Sequence, residues 1–494
     1  MESFVAHFTT LSFLFFILNS HAHPDEIKSL PGLSETIKFK HYAGLLKASD
    51  TDNTFYWFVE AQEHAAQAPL ILWLNGGPGC SSVGGLIEEL GPYLLNEDGK
   101  TLRINPYGWN KHANLLIFES PAGVGYAHSS EFDLTTNDDE TADGNYAALK
   151  DFFKKFPDFR RHNVFITGES YAGIYLPTLM ERILDNIDDF PLNIKGMAIG
   201  NGLLNNDINT DTQVQFSYNH GLIDQSLWET IETSCCNGCF QNCSFHNAKT
   251  GFCQYNINMI TARMWYGGLN PYDMYRDCFN PFPIDQQTKL KKVGERFYCS
   301  VRGLTNEVVA DKLERMMARK AATVRDDKDN KDIKDIKDDK DEIEVIADPI
   351  CMDSSAITHY MNLPEVREAL NIPVTVPEWT HCSSKVSLVY QKQYNDVAPQ
   401  IKKAVNAGLR VLLYYGDTDM ACNFLMGAKF SKDLGLALVA ENRPWKVDGQ
   451  IAGFVTAYKG LDYLTVKGTG HMVPQWKPKE AFHMLDRFLN GLEY

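Results

Sequence analysis

The chain is short of basic residues. Its 494 residues hold 47 Lys and Arg against 63 Asp and Glu, a formal net charge of −16. That balance excludes a nucleic-acid partner, which needs a basic surface. The fourteen histidines would offset much of the charge near pH 5, which suits an acidic compartment. Long apolar runs are also missing. The longest is "LSFLFFIL" at 11–18, too short to cross a bilayer. It is followed by Ser20 and Ala22 in a small-x-small pattern, which reads as a signal peptide over 1–22, cleaved after Ala22. One departure is that Glu2, and no Lys or Arg, precedes the run. The mature chain is therefore expected to enter the secretory pathway with no membrane span, to be lysosomal or secreted. The end, "NGLEY", carries no retention signal. A single N-glycosylation sequon exists, at Asn242.

Cysteine, by contrast, is plentiful. Eleven residues fit an oxidising compartment. The cluster at 235, 236, 239, 243 and 253 has a spacing that could hold zinc, but in a secreted chain disulfides are favoured. An odd count leaves at least one thiol unpaired within the chain. No metal and no cofactor are expected.

Six stretches look alike: 69–77, 114–121, 163–170, 194–202, 409–417 and 462–471. Each is a near-continuous apolar run ending in Gly, Asn, Asp, Ser or His. Strands buried on both faces read this way, so the fold class is α/β, a mixed, mostly parallel sheet covered by helices. A helix is expected between 119 and 163, capped by Thr136 or Asn137, with Tyr146, Leu149, Phe152 and Phe153 facing the core. The sheet pattern breaks over 203–348, which reads as an inserted, disulfide-stapled cap between two core parts, 23–202 and 349–494. The cap ends in "RDDKDNKDIKDIKDDKDEIE" (325–344). With six basic, ten acidic and three apolar residues, this segment cannot bury enough to order itself. It is an exposed loop or, on a sharper reading, an excisable linker.

The chemistry starts at "TGESYAG". Ser170 follows a β-rich run and precedes a helical pattern, the strand–turn–helix context of a nucleophile elbow. The tight turn needs small residues two before and two after the serine, here Gly168 and Ala172. A serine hydroxyl needs a base, and the base an orienting acid. In an α/β-hydrolase fold these follow in the order Ser, Asp, His at the ends of later strands. His471 follows "YLTVKGTG". Asp417 follows "RVLLYYG" and is preferred over Asp419 because it is the first residue past the strand. An oxyanion hole needs two backbone N–H groups aimed at one point. Tyr171 supplies one, and "NGGPG" brings Gly77 close for the other.

"LILWLNGGPGCSS", "ESPAGVGYAHS", "TGESYAGIYLPTL", "GDTDMACNF" and "GTGHMVPQWKP" together resemble the signatures of the serine carboxypeptidase family, most closely its lysosomal branch, over about 24–490. The resemblance implies an α/β-hydrolase core with a cap, and release of single residues from peptide C-termini. It implies a triad of Ser170, Asp417 and His471, oxyanion donors Gly77 and Tyr171, and a clamp for the substrate carboxylate at Trp73, Asn75, Glu89 and Glu169. It also implies disulfides Cys80–Cys382, Cys235–Cys253, Cys236–Cys243 and Cys278–Cys351, with Cys422 a free thiol. Cys239 and Cys299 remain as an extra bridge outside the family pattern. The charged form of 325–344 is a second departure. A dimer is the assembly the family suggests.

Glu89 and Glu169 can donate to a carboxylate only when protonated. Packing them together raises at least one pKa, so peptide binding should favour acid. An esterase or acyltransferase on the same triad is one rival. A non-catalytic partner that forms a protective complex with other lysosomal proteins is another.

Overall fold

The six apolar runs become six parallel strands. The computed structural model describes residues 23–131, 133–239, 243–248, 251–279 and 349–494. The expected signal peptide, Asn242, Cys299 and the charged segment 325–344 lie outside the described residues. In chain order the strands are β1 (His41–Lys47), β2 (Asp52–Val59), β3 (Leu70–Leu74), β4 (Tyr93–Leu95), β5 (Leu102–Ile104), β6 (Asn114–Glu119), β7 (His128–Ser129), β8 (Val164–Glu169), β9 (Ile194–Gly200), β10 (Arg410–Gly416), β11 (Leu438–Val447), β12 (Gln450–Tyr458) and β13 (Leu461–Val466). The main sheet runs β1-β2-β6-β3-β8-β9-β10-β13-β12-β11, with β7 on β2 and a separate β4-β5 ribbon. From β6 to β13 all neighbours are parallel. Antiparallel pairs flank them at both edges. This is an α/β-hydrolase architecture.

Alternation along each central strand feeds two cores, because successive side chains leave opposite faces. Leu70, Leu72 and Leu74 join one cluster, with Leu149 and Phe152 of the helix Asp138–Lys155 and Leu176 of the helix Ala172–Asp185. Ile71 and Trp73 join the other, with Met484 and Phe488 of the helix Pro478–Asn490. The first helix starts where Asn137 accepts from Glu140 N, and its four expected core residues are buried.

A third cluster lies apart from the sheet. It is carried by the helices Asn206–Asn219, Gln225–Cys235 and Gly251–Tyr266 and includes Phe216, Ile231 and Ile260. Cys235–Cys253 and Cys236–Cys243 staple it, and Met420 of the core packs into it. Cys278–Cys351 and Cys80–Cys382 are also bonded. Cys422 is buried with a free thiol. No described helix is long and apolar enough to cross a membrane.

Candidate active site

The parallel strands all end on one side of the sheet, where open α/β sheets place their reactive groups. Asn75 follows β3, Ser170 follows β8, Asn201 follows β9, and His471 sits beyond β13. Asn75, Gly77, Glu89, Glu169, Ser170 and His471 line one cleft.

Ser170 is a non-glycine residue with a left-handed backbone, φ 64°, a conformation that costs free energy and is held by its surroundings. Its N–H donates to Gly200 O (3.1 Å), and its carbonyl accepts from Gly173 N and Leu203 N, both at 2.9 Å. Strand β3 presses close behind it. A Cβ added to Gly168 would lie 2.2 Å from Leu74 O, so the elbow needs glycine there. A Cβ on Gly76 would lie 2.3 Å from Tyr171 N and 2.8 Å from Ser170 Cβ. The Gly76–Gly77 backbone therefore passes against the elbow at van der Waals range. The loop is anchored at the cleft wall by Cys80–Cys382, by Ser81 N donating to His381 O (2.8 Å) and by Ser383 N donating to Gly79 O (2.8 Å).

The acid that faces His471 is Asp419, which corrects the expectation for Asp417. His471 Nδ1 donates to Asp419 Oδ2 at 2.7 Å, and both side chains are buried. Asp417 only extends the β10 ladder, its N–H donating to Val466 O (3.1 Å). Its carboxylate turns outward to Gly468 N (2.7 Å); burial nevertheless raises its pKa. The chain needs two further residues to turn beneath the imidazole, so the first residue past the strand is too early. Asp419 accepts from Ala421 N (2.9 Å), Cys422 N (3.2 Å) and Asn201 Nδ2 (2.8 Å) as well. Asn201 was not singled out from sequence. Its Oδ1 accepts from Gly416 N (2.9 Å), so it fixes both the end of β10 and the acid. Tyr272 was also missed. Its carbonyl accepts from His471 N at 2.7 Å, and its ring stands 5.2 Å from the imidazole.

Glu89 is buried on a π-helical turn, Gly85–Leu90, a geometry often found at functional sites. Its carboxyl neighbours that of Glu169. The Oε2 atoms of both are buried with no hydrogen-bond partner. Two buried carboxyls packed together resist double ionisation, which favours a shared proton. Burial pushes Glu89 up to about 7. Burial and the neighbouring Glu89 charge hold Glu169 well above the usual carboxyl range. Asn75 Nδ2 donates to Glu169 Oε1 (2.9 Å). Trp73 does not line the cleft, which corrects its expected place in the clamp. It is fully buried, and its Nε1 donates to Asn75 Oδ1 (2.6 Å), which orients the amide. Chemically, the cleft joins a strained serine, a histidine–aspartate pair, a glycine loop and a protonated acid pair.

Comparison with known proteins gives the same class. The family described as serine carboxypeptidase matches residues 31–491. The mouse (Mus musculus) lysosomal protective protein is 40% identical over 95% of this chain and 94% of its own. Serine carboxypeptidase ctsa-4.1 of Caenorhabditis elegans is 39% identical over 98% of each. Among solved structures, that of Kex1(delta)p, a prohormone-processing carboxypeptidase from Saccharomyces cerevisiae, superposes with a TM-score of 0.67 at 22% identity, covering 94% of both chains. This last likeness carries the fold alone.

Proposed function

The chain belongs to the serine carboxypeptidase family, and from that membership we propose how its cleft takes one residue from a peptide's C-terminus. Ser170 Oγ attacks the scissile carbonyl carbon as His471 Nε2 takes its proton. Asp419 holds the imidazole tautomer and stabilises its cation. The N–H groups of Gly77 and Tyr171 receive the carbonyl oxygen as it becomes an anion. Collapse breaks the C–N bond, and His471 returns the proton to the leaving amine. Water, activated by His471, then hydrolyses the acyl-enzyme.

One observation carries the exopeptidase assignment: a buried acid pair and an oriented asparagine amide share the cleft with Ser170. Asn75 donates to the terminal carboxylate of the peptide, and the proton shared by Glu89 and Glu169 provides a second donor. The sign of the pH effect follows. Both acids have raised pKa values, so donation is complete in acid and weakens as pH rises through about 7, where Glu89 loses its proton. Above that, the Glu89 anion faces the substrate's own. The test compares kcat/KM against pH for a blocked dipeptide and its C-terminal amide, with product analysis. We expect release of one free amino acid, and a fall with pH that is steeper for the free acid. Identical profiles would sink the role of the pair.

Delivery to the lysosome is the localisation we favour within the secretory pathway. It is supported by the likeness to the mouse lysosomal protective protein, as is a protective complex formed alongside catalysis. Homodimer formation rests on the family resemblance and is read by sedimentation at pH 5 and 7. Fluorophosphonate labelling of Ser170 separates catalysis from a purely protective role.

A further inference from the structure

Behind the elbow, away from the cleft, lies a buried carboxylate the mechanism does not use. Asp138 is 1% exposed and opens the helix Asp138–Lys155, where the unpaired N–H groups favour negative charge. Its Oδ1 accepts from Tyr171 Oη and Tyr390 Oη, both at 2.8 Å. Its Oδ2 accepts from Gln393 N (2.6 Å) and Tyr394 N (3.0 Å). Tyr171 is the residue directly after Ser170, and its backbone N–H is the oxyanion donor argued above. Its ring is buried against Tyr175 and Tyr390, with Lys392 Nζ 5.1 Å over its face.

We propose that Asp138 is a positioning residue for the oxyanion hole, acting through the Tyr171 phenol; this rests on the reading of Ser170 as nucleophile. The logic is mechanical. Ser170 holds a left-handed backbone, so the elbow needs restraint on both sides. On the strand side β3 and β9 supply it. On the helix side the Tyr171 side chain is the lever, and a four-donor carboxylate fixes its far end. A rotation of Tyr171 would swing its N–H away from the point it shares with Gly77. Tyr390 bonds the same oxygen of Asp138 but belongs to a different segment, so it provides an internal control.

The experiment measures kcat and KM on a blocked dipeptide, the rate of Ser170 phosphonylation by a fluorophosphonate, and Tm, for Asp138→Asn, Tyr171→Phe and Tyr390→Phe. Deleting an oxyanion donor costs roughly 10²–10³ in kcat, and a misplaced donor loses part of that. We expect Asp138→Asn and Tyr171→Phe to lose about tenfold in kcat and in phosphonylation rate, with KM within about twofold. Tyr390→Phe should lower Tm with kcat unchanged. If Tyr390→Phe loses as much kcat as Tyr171→Phe, or if Tyr171→Phe loses only Tm, the positioning role is overturned. Phosphonylation reads the elbow without a peptide. Failure of the carboxypeptidase reading would show as wild-type labelling without amino-acid release, and so stays distinct.

Discussion

At the scale of single residues, the triad's acid separates what a pattern can locate from what only packing decides. Ser170 and His471 were legible because each ends a strand signal with an unusual local setting, a small-residue turn for one and two glycines for the other. The acid was not, because "GDTD" offers two aspartates and strand position favours the wrong one. A usable signal was present: Asp419 opens the apolar run Met420, Ala421 and Cys422, all buried, whereas Asp417 is followed by polar Thr418. Trp73 shows the same limit, since its buried indole could be assigned to substrate or to Asn75 only once the amide's direction was known. The two aspartates make a direct comparison. Asp419→Asn would leave the fold intact but favour the wrong imidazole tautomer, and kcat should fall by about 10⁴. Asp417→Asn removes a charge but keeps an oxygen that can accept from Gly468 N, and kcat should stay within about threefold of wild type, as for changes away from buried networks. Steady-state kinetics on both variants decides it, and equal losses would return Asp417 to the triad.

Among elements, the central strands and the helix Asp138–Lys155 could be read in advance, because full burial leaves continuous apolar runs and a cap leaves Asn137. The antiparallel edges could not. β11 and β12 have many exposed positions, so their sequence mixes polar and apolar residues without a clean period. Also invisible was the joint where β6 meets the oxyanion loop. Glu119 ends β6, fully buried, and accepts from Ser81 Oγ, Trp379 Nε1 (2.8 Å) and Tyr126 N (2.6 Å). It thereby ties the loop after β3 to the segment carrying Cys382. Burial pushes Glu119 up to about 7, against the pull of those three donors. Its folded pKa thus exceeds its unfolded value. The associated stability is complete below the unfolded pKa and is lost as pH rises toward 7. Glu119→Gln has no such titration, so its Tm relative to wild type should climb between pH 4.5 and 7. Glu119→Ala strands three donors, one of which costs about 1–3 kcal/mol, and should lower Tm at every pH. Thermal melts across that range check both, and a flat difference for Glu119→Gln would show that Glu119 keeps the same charge in both states.

For the molecule as a whole, the question is how a cap with its own core reaches the catalytic groups. The segment Pro271–Met274 does it. Pro271 O accepts from Met420 N (2.9 Å) and Ala421 N (3.1 Å), Tyr272 O from His471 N (2.7 Å), and Met274 N donates to Thr418 O (3.2 Å). Asp273, 5% exposed, accepts from Thr418 Oγ1 (2.8 Å). The cap therefore grips both sides of the His471–Asp419 pair, while Met420 plugs into the cap's apolar cluster. Its composition gave only disulfides and missing strands, and none of these contacts is local in sequence. If the grip matters, the pair's geometry depends on cap integrity even though the sheet does not. Asp273→Ala leaves the buried Thr418 hydroxyl without its acceptor, a cost of about 1–3 kcal/mol borne by the loop between β10 and Asp419. The expected outcome is faster hydrogen exchange at 417–422, a kcat reduced about tenfold, as misplacement of catalytic groups by a fraction of an ångström produces, and unchanged exchange in β3, β8 and β9. Exchange that rises only within the helices 206–266, with kcat intact, would instead show that cap and catalytic loop are energetically separate.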